Sequence, residues 1–368
     1  MRRPFDDEPR SIAVVRLRTG LGDLLCTVPA LRALRARLPH ARVVLITFAE
    51  MREVVDRMRP WVDELMGFPG HPRIPERPAH RSEIPRFYAA ARTRRFDLAL
   101  QMYGANPAAN EVTERLGARR AGGFFVPGTC DPDRSTHVAY PDHEHEVRRH
   151  LTLMRHLGAE PPADSRAGEA LTFSLRASDR RRAARLAAAS GLGTPYALIH
   201  PGATSPSRRW APDRFAAVGD ALRGGGMHVG LIGTGAERPL ALGVLRAMRA
   251  PAVDLCGHTG LGALAALLAN ARLLVAGDSG PAHLAAAVGT PSVTLFLSGD
   301  PARWAHESRR HRVARVQVEC NPCPHLSCPI DHRCANRLQV AHVLAEVDAV
   351  LDSTMPSCSS SLDRVASI

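Results

Sequence analysis

Short apolar runs alternate along the chain with longer segments whose apolar residues recur every three or four positions. Ile12-Ala13-Val14-Val15 is the first such run, and Leu31, Leu34 and Leu38 follow it at helical spacing. "ARVVLITF" and "FDLALQM" (Phe96 to Met102) are further apolar runs of strand length. "EHEVRRHLTLMRHLG" (Glu144 to Gly158) reads as a helix. The same alternation then starts again. "PYALIHPG", "HVGLIGTG", "RLLVAGDSG" and "PSVTLFLSG" read as strands ending in turns, and "APDRFAAVGDALRG", "LGALAALLANA" and "PAHLAAAVG" as the helices between them. Apolar strands separated by helices predict parallel sheets covered on both faces. Two such halves predict an α/β protein of two domains: 11–160 and 171–338, with the turn-rich stretch 159–170 as the boundary. "QVAHVLAEVDAVL" predicts a last helix, over 339–352. Residues 1–10 and the Ser-rich 353–368 are expected to be disordered. The Pro-, Arg- and His-rich stretch 69–85 is expected to be a mobile surface loop.

Composition narrows the picture little. The 368 residues are 45% hydrophobic and 23% charged, as in an ordinary globular protein. No apolar run approaches the ~20 residues of a membrane span. The start, "MRRPFDDEPR", has no apolar core and is not a secretory signal, so a cytoplasmic location is expected. The formal charge is +12, and all 48 basic residues are Arg. That balance suits an anionic partner. Aromatics are 5% and no nucleic-acid module is visible, so no nucleic acid is expected as partner.

Three stretches could carry chemistry. In "VAGDSGPAHLAAAVG" an apolar strand ends at Asp278-Ser279-Gly280 and a helix begins, with His283 on its first turn. The free N–H groups there suit a phosphate, although a helix capped by Asp or Ser has the same sequence. In "HPGATSPSRRWAP" a strand end is followed by Thr204, Ser205, Arg208 and Arg209, donors that suit a diphosphate or form a polar surface loop. In "RLRTGLGDLL" a glycine turn with Gly20 and Gly22 leads to a carboxylate, Asp23. The third glycine of G-x-G-x-x-G is missing, which argues against a dinucleotide oxidoreductase.

Together with "LIGTGAERPLA", "DLCGHTGLGALAALLANARLL" and a cysteine cluster, these blocks resemble the family 9 glycosyltransferases, the heptosyltransferase-like enzymes of lipopolysaccharide assembly. The resemblance runs from about Ser11 to Leu351. It implies a GT-B fold, two Rossmann-like domains with parallel sheets facing across a cleft, an acceptor side first and a nucleotide-sugar side second. It implies that the 339–352 helix packs back toward the first domain. It implies that Asp23 is a general base and that Arg208 stands where relatives usually carry Lys. Gly22, Thr204, Ser205, Arg209, Glu237, Thr259, Asp278, Ser279, Gly280 and His283 would then bind the donor. The rival reading of Asp23 is an N-cap of the helix after it.

Three patterns hint at metal. Asp131 and Asp133 mimic a D-x-D pair in a turn-rich loop. His145, Glu146 and His150 miss the H-E-x-x-H spacing by one residue and read as a solvated helix start. Cys320, Cys323, Cys328 and Cys334 form C-x2-C-x4-C-x5-C, the donor set of a structural zinc, of reduced thiols or of a local disulfide. No metal and no cofactor enter the expected reaction. That reaction is inverting transfer of a heptose-like sugar, ADP-linked by resemblance, to a glycan or glycolipid hydroxyl. The acceptor leaves room for peripheral contact with the inner face of a membrane. The alternative is a relative that binds the sugar nucleotide without turning it over.

Overall fold

The computed structural model describes residues 3–129, 132–161 and 168–354. It contains two six-stranded sheets in which every neighbouring pair is parallel. The first is built from β1 (Ser11–Val15), β2 (Arg42–Thr47), β3 (Glu64–Gly67), β4 (Leu98–Gln101), β5 (Arg120–Phe125) and β6 (His137–Ala139) in the order β3-β2-β1-β4-β5-β6. The second is built from β7 (Tyr196–His200), β8 (His228–Leu231), β9 (Val253–Asp254), β10 (Leu273–Gly277), β11 (Ser292–Leu295) and β12 (His311–Ala314) in the order β12-β11-β10-β7-β8-β9. Counted from its own first strand, the second sheet repeats the order of the first. Two doubly wound halves of this kind are the expected GT-B architecture. The central strands are apolar throughout because both faces are covered, as in β10 (Leu-Leu-Val-Ala-Gly, all buried).

Strand order reverses between β1 and β4, and again between β7 and β10. In open parallel sheets such a switch point leaves a crevice at the carboxyl ends of the strands, where ligands bind. The loops after β1, β4, β7 and β10 therefore define where chemistry can occur. The halves meet there: the helix Leu21–Leu25 of the first lies against the helix Gly280–Val288 of the second. Burial is continuous across this seam, with Leu24, Leu25 and Cys26 in one apolar cluster with Leu267, Leu284 and Ala285.

Three expectations are corrected. Residues 4–7 form a 3-10 turn, and Phe5 is fully buried, so a single aromatic anchors the polar start beside Gly158. The stretch 69–85 holds buried Ile74 and His71 and begins a helix at Ile84. The last helix, Val340–Thr354, does not return to the first half. It packs on β11, β12 and the helix Pro212–Gly224, burying Val343, Val347 and Val350 in the core of the second half. The tail from 355 onward and half of the 159–170 boundary (162–167) lie outside the described residues. Past that boundary, the helix Ala177–Ser190 packs on the helix Leu261–Asn270, while Asp179 pairs with Arg57 of the first half. No helix among the described residues is long and apolar enough to cross a membrane.

Candidate active site

β1 delivers Arg16 to the crevice. Its guanidinium is fully buried and donates to the carbonyls of Met102 at 2.8 Å and Tyr103 at 3.2 Å, just past β4. Its other nitrogen donates to the carbonyl of Asp23 at 2.9 Å and to Glu146 at 2.9 Å. One cation thereby ties both arms of the first switch point to the glycine loop.

That loop explains its own glycines. A Cβ at Gly20 would collide with the Asp23 carboxylate, which folds back over it. A Cβ at Gly22 would collide with the ring of His283, from the other half. Gly280 returns the arrangement, since its missing Cβ would lie 3.3 Å from Leu21. Gly22 thus serves the seam between the halves.

Asp23 sits inside the short helix Leu21–Leu25, whose N-cap is Gly20, and its carboxylate caps no backbone group there. The N-cap reading of Asp23 does not hold. One carboxylate oxygen lies 3.5 Å from Arg16 and 3.8 Å from Arg18. Burial nevertheless pushes its pKa above the usual Asp value; Arg16 and Arg18 offset this in part, and Glu146 adds to it. A partly exposed carboxylate with a raised pKa at the mouth of a crevice is suited to taking a proton.

Glu146 is the hub behind Asp23. It accepts from Arg16, lies 3.4 Å from Arg149 and 3.5 Å from His150, and accepts from Arg303 of the second half at 2.9 Å. Glu146, Arg149 and His150 are all buried, which corrects the reading of this stretch as a solvated helix start. The local sequence caused the misreading, because nothing near His145–His150 shows that Arg16 and Arg303 arrive from 130 and 157 residues away. Burial alone would raise Glu146, but His150 and the Arg16 and Arg303 guanidiniums hold it well below the usual Glu range. His150 is pulled down to about 4, by burial first and then by Arg16.

These shifts set a pH dependence. His150, and likewise buried His283 and half-buried His311 at about 4, fold as neutral rings, whereas an unfolded His titrates near 6.5. A depressed folded pKa gives stability that is present above the unfolded value and lost as pH falls toward the folded one. Glu146 acts in the same direction at still lower pH. The denaturant midpoint should therefore drop steeply between pH 6.5 and 4. A midpoint that is flat across this range would contradict the neutral state of these rings.

The first half contributes two more groups. Arg18 stacks on Tyr103 at 4.2 Å and pairs at 2.7 Å with Glu76, which also accepts from the Tyr103 hydroxyl at 2.7 Å. Glu76 comes from the stretch expected to be a mobile loop. Its role was not readable because its partners lie on other elements.

In the second half the residues expected to bind the donor gather around β7 and β10. Arg208 lies 3.2 Å from Asp278, and Asp278 is buried. Ser279 is the N-cap of the helix Gly280–Val288, yet no side chain caps that helix. The Ser279 hydroxyl turns to the Gly277 carbonyl at 2.9 Å and to His200 at 3.1 Å. His200 in turn lies 3.4 Å from Glu237, and its hydrogen bond, outweighing the opposing effect of burial and helped by Thr234, lowers Glu237 to about 2. Gly202 is required beside them, because a Cβ there would strike the Glu237 carboxylate. Arg209 donates to the Ala203 carbonyl at 2.9 Å, Ser205 is buried and Thr204 is exposed on the same loop. Thr259 immediately precedes Gly260, the N-cap of the helix Leu261–Asn270, on a loop whose Gly257 lies against Gly235.

The metal patterns fare differently. Asp133 accepts from the Ser135 backbone at 2.9 Å and hydroxyl at 2.7 Å, an ordinary turn, and Asp131 lies outside the described residues. Cys320, Cys323, Cys328 and Cys334 are free thiols. They are not among the groups of His, Cys and acidic donors that converge within 4.8 Å among the described residues; that geometry is met by Cys26, His283 and His306.

Residues 86–333 match the model of glycosyltransferase family 9 (heptosyltransferase). The chain is 26% identical over 299 residues to lipopolysaccharide heptosyltransferase 3 of Escherichia coli, covering 77% of this chain and 82% of that protein. Among solved structures it is similar to a family 9 glycosyltransferase from Veillonella parvula, with a TM-score of 0.74 and 19% identity over 94% of this chain and 98% of that one. It is also similar to E. coli heptosyltransferase WaaC with ADP-2-deoxy-2-fluoro heptose, with a TM-score of 0.61 and 18% identity over 92% and 99% of the two chains.

Proposed function

The chain belongs to glycosyltransferase family 9, and from that premise we propose that it is an inverting, metal-independent transferase with Asp23 as general base. The observation that carries the reading is the position of Asp23. It stands on the acceptor half, at the seam where that half meets the uncapped start of the helix Gly280–Val288. An acceptor hydroxyl is a weak nucleophile. Asp23 takes its proton as the oxygen attacks the anomeric carbon of the donor sugar from the face opposite the leaving group. The bond to the nucleoside diphosphate breaks, and the configuration inverts. Glu146 and Arg16 hold the loop that aims the base.

The departing diphosphate gathers negative charge. Arg208 and the first-turn N–H groups at Gly280 supply the opposite charge, a use of helix dipole and guanidinium in place of a metal ion. Ser279, His283, Thr204, Ser205, Arg209 and Thr259 complete the donor pocket with Gly22. Glu237, ionised at every physiological pH, accepts from the ribose hydroxyls. The donor class is a nucleoside diphosphate sugar, ADP-linked heptose by analogy with the relatives, and the acceptor is a lipopolysaccharide-core glycolipid. An enzyme with such an acceptor works in the cytoplasm, in peripheral contact with the inner face of the membrane. The +12 charge suits an anionic surface.

A calorimetric screen of ADP-, GDP-, UDP- and dTDP-sugars tests the donor class; the reading predicts selective binding of the ADP-linked sugar. Arg208→Ala should weaken nucleoside diphosphate binding by about tenfold or more and slow transfer, as expected for a lost charge-assisted contact. Arg208→Lys should recover much of both. An Ala variant that binds as the parent does would transfer the role to Arg209.

A further inference from the structure

We propose that Cys26, His283 and His306 form a site for one thiophilic divalent cation of the zinc class, spanning the seam between the two halves. Cys26 ends the helix that carries Asp23, whereas His283 and His306 come from the donor half. The Cys26 sulfur lies 3.9 Å from His283 Nδ1, and His283 Nδ1 lies 2.8 Å from His306 Nε2. All three donor atoms fall within 4.8 Å of one another. Zinc binds imidazole nitrogen at about 2.0–2.1 Å and thiolate at about 2.3 Å, which places tetrahedral ligands roughly 3.3–3.7 Å apart. The sulfur contact already has nearly that length. The two imidazoles need to part by only a few tenths of an ångström, exchanging one hydrogen bond for two metal bonds.

The surroundings favour such an ion. Cys26 and His283 are buried, so the site is shielded from competing water. Trp304 stands edge-on to His283, with ring centroids 5.8 Å apart, and walls the site. His145 stands edge-on to His306 at 5.3 Å but lies outside the converging donor set, so water would fill the fourth position. Burial keeps the rings of His283 and His306 neutral, the form that donates a lone pair. Burial also holds the Cys26 thiol in its protonated form, so its S–H bond breaks as the S–metal bond forms, and one proton passes to solvent for each ion bound.

The consequence follows from the two anchors. An ion bonded to Cys26 and to His283 fastens the Asp23 loop to the donor helix, so the halves cannot part for substrates. The cation is therefore an inhibitor of transfer, a consequence that rests on the transferase reading above. The binding claim does not.

The test is a cobalt(II) titration of the full chain carrying Cys320→Ser and Cys323→Ser, which removes half of the other thiol cluster. The expected result is one equivalent bound with a thiolate-to-cobalt charge-transfer band, absent from the same protein with His306→Ala or Cys26→Ser. Zinc should raise the melting temperature of the parent and leave that of the His306→Ala protein unchanged. Near-ultraviolet circular dichroism matching the parent certifies that each variant is folded. No charge-transfer band, or one that survives His306→Ala, overturns the site. Zinc should also suppress transfer at least tenfold in the parent and not in His306→Ala. Binding without suppression overturns the clamp. If no donor supports transfer, the transferase reading fails while the cobalt spectrum still decides the site.

Discussion

Asp23→Asn should lose turnover by about 10²–10⁴-fold, the usual contribution of a general base, while donor affinity stays within about twofold of the parent. The amide keeps the size of the side chain and cannot take a proton. The same variant should be no less stable than the parent, and this separates a base from a structural carboxylate. Burial raises the folded pKa of Asp23 above its unfolded value. A raised folded pKa contributes stability that is fully present below the unfolded value and is lost as pH rises through the folded one. At neutral pH the ionised carboxylate therefore costs the fold, and the Asn variant is relieved of that cost. Activity has the opposite sign, because only the ionised form accepts a proton. Turnover should fall as pH is lowered through the raised pKa. Turnover near the parent level, or a clear drop in melting temperature with binding lost, would count against the assignment.

Glu146→Gln should destabilise the protein by about 3–5 kcal/mol, the range for removing one partner of a buried ion pair. Three guanidiniums converge on this carboxylate, and Arg16 is fully buried. The loss of charge leaves Arg16 with backbone carbonyls and the more distant Asp23. Since Arg303 reaches Glu146 from the second half, the variant should also loosen the seam and lower turnover. A denaturant titration measures the first effect. An unchanged midpoint would mean that the hub contributes nothing beyond its backbone.

The sequence was most readable where one element decides the outcome. β1, β7 and β10 are apolar runs of four or five residues ended by polar or glycine turns, and their places in the chain gave the two halves. Asp278 was readable because it follows such a strand end directly, and Asp23 and Arg208 because each lies in the polar or glycine loop that follows one. What stayed hidden depends on distant partners. Arg16 looked like one more Arg in a chain with 48, yet four acceptors on three elements make it buried. Glu146 was seen but taken for solvated, because the cations that neutralise it are remote in sequence. Glu76 sits in a Pro- and Arg-rich stretch whose composition signals exposure, and only Arg18 and Tyr103 give it a place. The final helix has an apolar stripe that fits either half; packing on β11 and β12 decided it. The second-half strands β9 and β12 are two and four residues long, too short for a periodic signal.

The central claim is that the base on one half faces the diphosphate site on the other. A crystal structure of Asp23→Asn with a nucleoside diphosphate sugar and an acceptor analogue tests it most directly. The account predicts the diphosphate between Arg208 and the first turn at Gly280, with the acceptor hydroxyl within hydrogen-bond reach of residue 23 and in line with the anomeric carbon. A diphosphate bound on the first half, or a hydroxyl out of reach of residue 23 with both ligands in place, would contradict it.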